Sequence, residues 1–324
     1  MSHDYSDDQL RLVARLYYID GLGQSDVARF ARVSQAKVSR LLAVARERGI
    51  VRITVADYDP RRPELEERLR ARFGLRQVVV IKCGDRLGTD VRRSVGHFGA
   101  AVVDALIPPR AIVAVAGGRT IHELVLQLPV ARSKALTIVQ AMGSVDSTTS
   151  IYDAHEVGRV VAQRQGGSFL ALNTPAFIPE RRTRDALLEL PQVRRVQEHL
   201  DRASVALVGV GVLGNSVFAE RGTLDATMAG ELERAGAVGE ICGRFLNAAG
   251  AECATSWRHR VISISLEQLR RIPEVIGVVS GADRTAAILA ALQGGILKSL
   301  LIDELGAAAL LAATPAAPRR KTRP

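Results

Sequence analysis

The amino-acid sequence predicts a mixed α/β protein in two parts. A winged helix-turn-helix comes first, and a Rossmann-like layer of parallel strands alternating with helices follows. Two observations carry this expectation. Between residues 10 and 50 the apolar positions recur three and four apart, the helical period, with breaks at Gly21-Leu22-Gly23 and at Ser34. Beyond residue 64, short uninterrupted apolar runs alternate with amphipathic stretches, the pattern of a parallel sheet covered on both faces.

In the first part, Leu10, Val13, Ala14, Leu16, Tyr17 and Tyr18 form the stripe of one helix. Val27, Ala28 and Phe30 face inward from a second. Ser34 is placed to N-cap a third helix, its side-chain oxygen available to the free N–H groups of the next turn. From there Val38, Leu41, Leu42 and Val44 point to the core, and Gln35, Lys37, Ser39 and Arg40 point outward. Gly49 closes the helix, and Val51-Arg52-Ile53-Thr54-Val55 alternates like a short strand, a wing that would bring Arg52 near a sugar-phosphate backbone. Gln can pair with adenine, Arg or Lys with guanine, and Ser with bases or phosphate. A helix of this composition after a tight corner suits the major groove of duplex DNA. Gln24, Ser34, Gln35, Lys37, Ser39, Arg40 and Arg52 are therefore the candidate DNA contacts. The competing reading is a helical hairpin with a solvated basic face. Helix spacing, cap position and outer-face chemistry together favour DNA.

The boundaries expected are a DNA-binding domain at 1–56, a linker with two prolines at 57–63, an effector and oligomerisation domain at 64–314, and a basic tail at 315–324. An apolar fraction of 47% with 4% aromatics predicts a core of Val, Leu, Ile and Ala. The formal net charge of +10 favours a polyanionic partner without identifying it. Arg319, Arg320, Lys321 and Arg323 read as a disordered tail adding non-specific phosphate attraction. Cys83, Cys242 and Cys253 lack any C-x-x-C arrangement, so neither a disulfide framework nor a zinc site is expected. No apolar run reaches the ~18 residues of a membrane span, and the N-terminus is acidic where a signal peptide would be basic. A reduced, cytoplasmic protein with no membrane partner is expected.

In the second part, strands are predicted at 111–115, 136–140, 169–172, 205–208 and 275–279, with helices at 95–106 and 120–128 between them. Their carboxyl ends run into Gly117-Gly118-Arg119-Thr120, Gly143-Ser144, Asn173-Thr174-Pro175, Gly209-Val210-Gly211 and Ser280-Gly281-Ala282-Asp283. In open parallel sheets the ligand crevice lies at these ends. Repeated Gly and small polar residues there describe one pocket rim. Gly117-Gly118-Arg119-Thr120 opens a helix, so free N–H groups and Arg119 can hold a phosphate or another anion. Arg284 places a second guanidinium at a helix start. Neither a G-x-x-x-x-G-K-[ST] loop nor a G-x-G-x-x-G fingerprint is present, so ATP and NAD are not indicated and no cofactor is expected. An enzyme would need a placed general base. His122, Asp153, His155 and Glu156 are the available groups, and they read as helix caps or arginine partners.

Taken whole, the chain resembles the SorC family of bacterial sugar-responsive transcriptional regulators from about residue 10 to 312. The residues carrying the resemblance are 13–24, Lys37-Val38-Ser39-Arg40-Leu41-Leu42, 49–53, Gly117-Gly118-Arg119-Thr120, Gly236-Ala237-Val238-Gly239 and 286–295. The resemblance implies an effector domain similar in fold to phosphosugar isomerases, and a homotetramer on paired sites of double-stranded operator DNA. A phosphorylated sugar or polyol-related metabolite would alter DNA affinity. It places Gly118, Arg119 and Thr120 on the phosphate side, Arg284 where the family usually has lysine, and Glu240 and Asn247 where carboxylates often face the sugar. Asn247 departs from the usual aspartate and Glu240 is longer by a methylene. Met142 offers no amine at a strand end facing the pocket, which argues against an imine with an aldehyde sugar. The effector candidates are thus Gly117, Gly118, Arg119, Thr120, Gly143, Asn173, Glu240, Asn247 and Arg284. The alternatives are a sugar-phosphate isomerase-like enzyme and a ligand-independent DNA-binding protein.

Overall fold

The computed structural model describes residues 5–84, 88–130, 134–147 and 150–313; the basic tail at 315–324 lies outside the described residues. The chain divides into two compact units, Met1–Asp59 and Pro60–Pro324.

In the smaller unit, α1 (Asp7–Ala14) starts at Ser6, whose Oγ accepts from the N–H of Gln9, with Asp7 and Asp8 on the positive end of the helix. It runs into a π-helical turn over Arg15–Ile19. α2 (Gln24–Phe30) and α3 (Gln35–Glu47) follow, joined by a four-residue corner over 31–34. Leu10, Val13, Leu16, Val27, Val38, Leu41, Leu42 and Ala45 make the core of this unit.

Three expectations fail here. Phe30 is 64% exposed, because α2 stops at that residue and Val33, bonded through its N–H to Ala28, takes the inner place. Tyr18 is exposed because the wider π turn shifts the phase of the last residues away from the 3.6-residue period. Val51–Val55 forms no strand: among the described residues of this unit there is no second strand to complete a ladder, and Val55 is 79% exposed. The wing is therefore an irregular segment without sheet pairing.

The larger unit begins on α4 (Pro63–Phe73), β1 (Gln77–Ile81), α5 (Thr89–Ala105), β2 (Ile112–Val115) and α6 (Arg119–Gln127). It continues through β3 (Thr137–Gln140), α7 (Ala154–Gln165), β4 (Ser168–Leu170), α8 (Arg181–Leu188), α9 (Pro191–Asp201) and β5 (Val205–Val208). The short α10 (Val217–Glu220) precedes α11 (Ala226–Arg234) and the antiparallel pair β6 (Ala237–Ile241) and β7 (Arg244–Asn247). The last elements are α12 (Leu266–Arg271), β8 (Glu274–Val278), α13 (Thr285–Gln293), β9 (Ser299–Asp303) and α14 (Glu304–Ala312).

Seven strands form one sheet in the order β1-β9-β8-β5-β2-β3-β4, and every pairing in it is parallel. All of Val205–Val208 is buried, as an inner strand covered on both faces requires. From β2 the chain winds outward through β3 and β4; it then returns to β5 on the other side of β2. The β2/β5 boundary is thus a topological switch point, where loops leave adjacent strands in opposite directions and open a crevice.

Arg61 and Arg62, in the stretch expected as linker, are tied into this unit. Arg61 grips Glu66 with Nε at 2.8 Å, and the N–H of Arg62 reaches the carbonyl of Val80 at 2.9 Å. Cys83, Cys242 and Cys253 are free and buried, and no helix among the described residues is long and apolar enough to cross a membrane.

Candidate functional site

A cavity of about 330 Å³ opens at the β2/β5 switch point. Its floor is Ala116–Ile121 after β2 and Gly209–Gly211 after β5, with Met142 from the end of β3 and Val278–Ser280 from β8. Small residues are needed on this floor. A Cβ on Gly117 would lie 2.5 Å from the carbonyl oxygen of Tyr152, and Gly118 has φ +137°, open to glycine far more than to L side chains. Gly118 also serves as N-cap of α6 without a side chain to offer, so no side chain caps the first turn of a helix that starts at the cavity. The N–H of Gly118 itself is taken by the carbonyl of Tyr152 at 2.8 Å.

Four guanidiniums line the cavity, those of Arg92, Arg119, Arg221 and Arg284, together with the carboxylates of Asp146, Asp153, Glu220 and Glu240. Arg119 meets both carboxylate oxygens of Glu220 at 2.7 Å. Arg221 meets Asp146 at 3.2 Å. Arg284 donates to the carbonyl of Ser280 at 2.8 Å and to Asp283 at 3.0 Å, so its own turn holds it in place. Thr120 Oγ1 lies 3.3 Å from Ser280 Oγ, which links the two arginine-bearing turns.

Glu240 is the buried carboxylate of the wall. Its backbone pairs with Gly211 in both directions at 2.9 Å, and its side chain accepts from Ser216 Oγ at 2.7 Å and from the N–H of Gly243 at 2.9 Å. Burial pushes its carboxyl above the usual range, against the pull of those two hydrogen bonds. Burial and the neighbouring Glu240 together push the Cys242 thiol up to about 12, which leaves it protonated and unreactive.

Of the candidate effector residues, Gly117, Gly118, Arg119, Thr120, Glu240 and Arg284 meet at this cavity, and Met142 joins them. Gly143, Asn173 and Asn247 do not line it. Gly143 is small for another reason: a Cβ there would stand 2.6 Å from the carbonyl oxygens of Thr174 and Pro175. Asn173 is exposed, in a positive-φ turn (49°). The Asn247 side chain accepts from the N–H groups of Ala249 and Ala251 at 3.0 and 3.1 Å, and so shapes a turn. Arg92, Asp146, Glu220 and Arg221 were not foreseen, since no motif marks them and only the fold gathers them. Among the groups weighed as general bases, Asp153 caps α7 and Glu156 pairs with Arg159 at 2.6 Å. His155 packs edge-on against Phe169. His122, also packed against an aromatic ring (Tyr152), is buried and outside the cavity lining.

The smaller unit has its own candidate face. On α3, Gln35 and Ser39, and likewise Ala36 and Arg40, stand four residues apart and are exposed, opposite Val38, Leu41, Leu42 and Ala45. Ser34 caps this helix, its Oγ accepting from the N–H of Lys37 at 3.2 Å. Lys37 is half-buried with its ammonium 5.9 Å from the centre of the Tyr5 ring, so it points less freely outward than its position implied. Gln24 opens α2 half-buried, and Arg52 is exposed on the irregular segment after α3.

A helix-turn-helix unit and a Rossmann-like unit with an arginine-lined cavity at its switch point define a ligand-responsive DNA-binding regulator. The family model Sugar-bind ("Putative sugar-binding domain") matches residues 61–312. The transcriptional regulator YjhU of Escherichia coli is 29% identical over 314 residues, covering 95% of each chain. The sorbitol operon regulator of Klebsiella pneumoniae is 28% identical over 316 residues, covering 94% of this chain and 99% of that one. The crystal structure of that full-length regulator, SorC, superposes with a TM-score of 0.77 at 28% identity over 95% of this chain and all of the other. The chain belongs to the SorC family of sugar-binding transcriptional regulators.

Proposed function

We propose that this protein controls transcription by binding an operator through α3, with its operator affinity set by a phosphorylated sugar or polyol in the cavity of the larger unit. The carrying observation is the uncapped start of α6 with Arg119 at the switch-point cavity, beside the buried carboxylate Glu240. The helix start and the guanidinium suit a phosphate, and a carboxylate accepts from sugar hydroxyls. Gln35, Ser39 and Arg40 read base edges, with Gln24, Lys37 and Arg52 on nearby phosphates. The two functions are coupled only if ligand binds the DNA-competent and DNA-incompetent states differently; ~1–3 kcal/mol, roughly 5–150-fold, is typical.

The structural duties of Asp153 and Glu156 favour a regulator over an isomerase, and the third carboxylate to weigh, Glu240 in the cavity wall, has both oxygens engaged by Ser216 and the N–H of Gly243. We take the working form to be a homotetramer on paired operator sites, as the family resemblance implies, in the cytoplasm, which free buried cysteines suit. Operator binding to the DNA flanking the gene, titrated with a panel of sugar phosphates and free sugars, tests the function. A specific shift altered by one phosphorylated compound is the expected result. Turnover of a sugar phosphate without sequence-specific DNA binding would replace the proposal with the enzyme reading.

A further inference from the structure

The cavity mouth carries a feature that binding of a sugar phosphate does not require. Glu220 and Arg221 are consecutive, at the end of α10, and they pair with opposite rims. Glu220 reaches back to Arg119 at the start of α6, with both of its oxygens 2.7 Å from one Nη. Arg221 reaches Asp146 in the segment after β3, at 3.2 Å. The two pairs make a clasp.

The segment bearing the clasp is rooted on both sides, since the N–H groups of Thr223 and Leu224 return to the carbonyl of Phe218 and Leu224 is buried, and the clasp side chains are its partly open part. Ser216 is buried and donates to Glu240 at 2.7 Å. Phe218 is fully buried and packs edge-on against Trp257, ring centres 5.1 Å apart. The clasp side chains themselves stay between 34% and 46% exposed. These half-exposed ion pairs part at little cost, because such pairs in water contribute only ~0–1 kcal/mol. The roots hold when they do.

A carboxylate on Arg119 presents two oxygens to a guanidinium, as a phosphate would. We propose that Glu220 is the chain's own occupant of the anion position, and that a phosphorylated ligand enters by displacing it from Arg119. This rests on the reading of the cavity as a phosphosugar site and adds how that site chooses its ligand. A dianionic phosphate competes with a single carboxylate for Arg119, gains the uncapped first-turn amides of α6 besides, and so opens the clasp. A free sugar or polyol carries no anion and leaves it closed. Glu220 is then a specificity residue, and its displaced side chain, at the end of α10, is the first group to move.

Inorganic phosphate, titrated calorimetrically into the full-length chain, tests this with three proteins: wild type, Glu220→Gln and Arg119→Ala. The expected result is phosphate binding about two- to fivefold tighter in Glu220→Gln, the fold-change of releasing one exposed ion pair, and binding lost in Arg119→Ala. Amide hydrogen exchange separates displacement from mere relief of charge repulsion. Phosphate should speed exchange over residues 219–222 of the wild type, whereas in Glu220→Gln exchange there is already fast and phosphate adds nothing. Equal phosphate affinity in wild type and Glu220→Gln, alongside loss in Arg119→Ala, would overturn the role of Glu220 and keep the anion site. Undiminished binding in Arg119→Ala, or none in any of the three proteins, would overturn the phosphate reading of the cavity as well.

Discussion

The helix-turn-helix unit and the cavity end of the larger unit bring functional side chains together by opposite routes. On α3 one period does both jobs: Val38, Leu41, Leu42 and Ala45 face the core, and Gln35, Ser39 and Arg40 face out from the same two or three turns. At the cavity, Arg119, Asp146, Glu220, Glu240 and Arg284 come from five separate stretches that only the sheet order makes neighbours. Stability and recognition are therefore inseparable in α3, where a tilt of the helix moves the whole reading face. At the cavity they are largely separable, because the parallel strands supply the rigidity and the segments beyond them the chemistry.

The largest test of that contrast is Leu41→Ala. Leu41 is fully buried in a core of ten apolar residues, and removing it should cost about 2–5 kcal/mol. So small a core cannot absorb that loss. Hydrogen exchange should rise throughout residues 5–59 and operator binding should vanish, while phosphate binding by the larger unit persists. Retained operator affinity would mean that α3 does not depend on this core.

The matching substitution in the larger unit is Glu304→Gln. Glu304 opens α14 and accepts from Arg62 at 2.6 Å, from the N–H of Cys83 at 2.9 Å and from that of Gly84 at 3.1 Å. Burial alone would raise its carboxyl; the hydrogen bonds from Arg62, Cys83 and Gly84 outweigh burial and hold it near 2, against an ordinary value of 4.5. The folded-state value is depressed, so the stabilisation is complete above the ordinary value and is lost as the pH falls towards about 2. Glu304→Gln should cost about 1.5–3 kcal/mol at neutral pH, the range for hydrogen bonds to a charged group. In urea titrations the gap to wild type should narrow at pH 3. A gap independent of pH would assign the loss to packing rather than to the charge.

Arg40→Ala addresses function without the core. Its side chain is exposed on α3, and the loss of a bidentate base contact costs ~1–3 kcal/mol of discrimination. Operator affinity should fall and preference over unrelated DNA should shrink, with phosphate binding unchanged. A uniform fall across all DNA sequences would move Arg40 from a base edge to a phosphate.

The same contrast explains how much of the fold and of the cavity is legible in the amino-acid sequence. The helices of the smaller unit, the cap at Ser34 and the strands bounded by Gly117, Gly209 and Ser280 followed from period and punctuation, because local sequence decides them. The strand at Val51–Val55 did not form, since alternation specifies a strand only when a partner exists to pair with it. At the pocket rim, residue type over-collected. Gly143 is small to let Thr174 and Pro175 approach, and Asn247 is polar to hold its own turn. Residue type also missed Glu220 and Arg221, whose meaning lies wholly in the rims they bridge. Arg284, foreseen from its turn, is the intermediate case: local bonds to Ser280 and Asp283 orient it, and tertiary structure aims that turn at the cavity.

The smallest effect is expected at Ser34, where the two roles that α3 fuses meet in one atom. Its Oγ accepts from the N–H of Lys37 and thereby fixes where α3 begins, yet the residue is exposed on the side where DNA contacts were expected. Ser34→Ala removes cap and hydroxyl together, at a cost of about 1 kcal/mol in the stability of the smaller unit. Ser34→Asp keeps a cap and sets a negative charge at the start of the helix, favourable to the helix and unfavourable to DNA. Thermal unfolding followed beside operator titration then separates the roles. If Ser34 faces the phosphates, Ser34→Asp should match wild type in stability and bind DNA more weakly than Ser34→Ala, with the difference shrinking as salt rises. If Ser34→Asp binds DNA as wild type does, Ser34 serves the helix alone and the DNA face of α3 begins at Gln35.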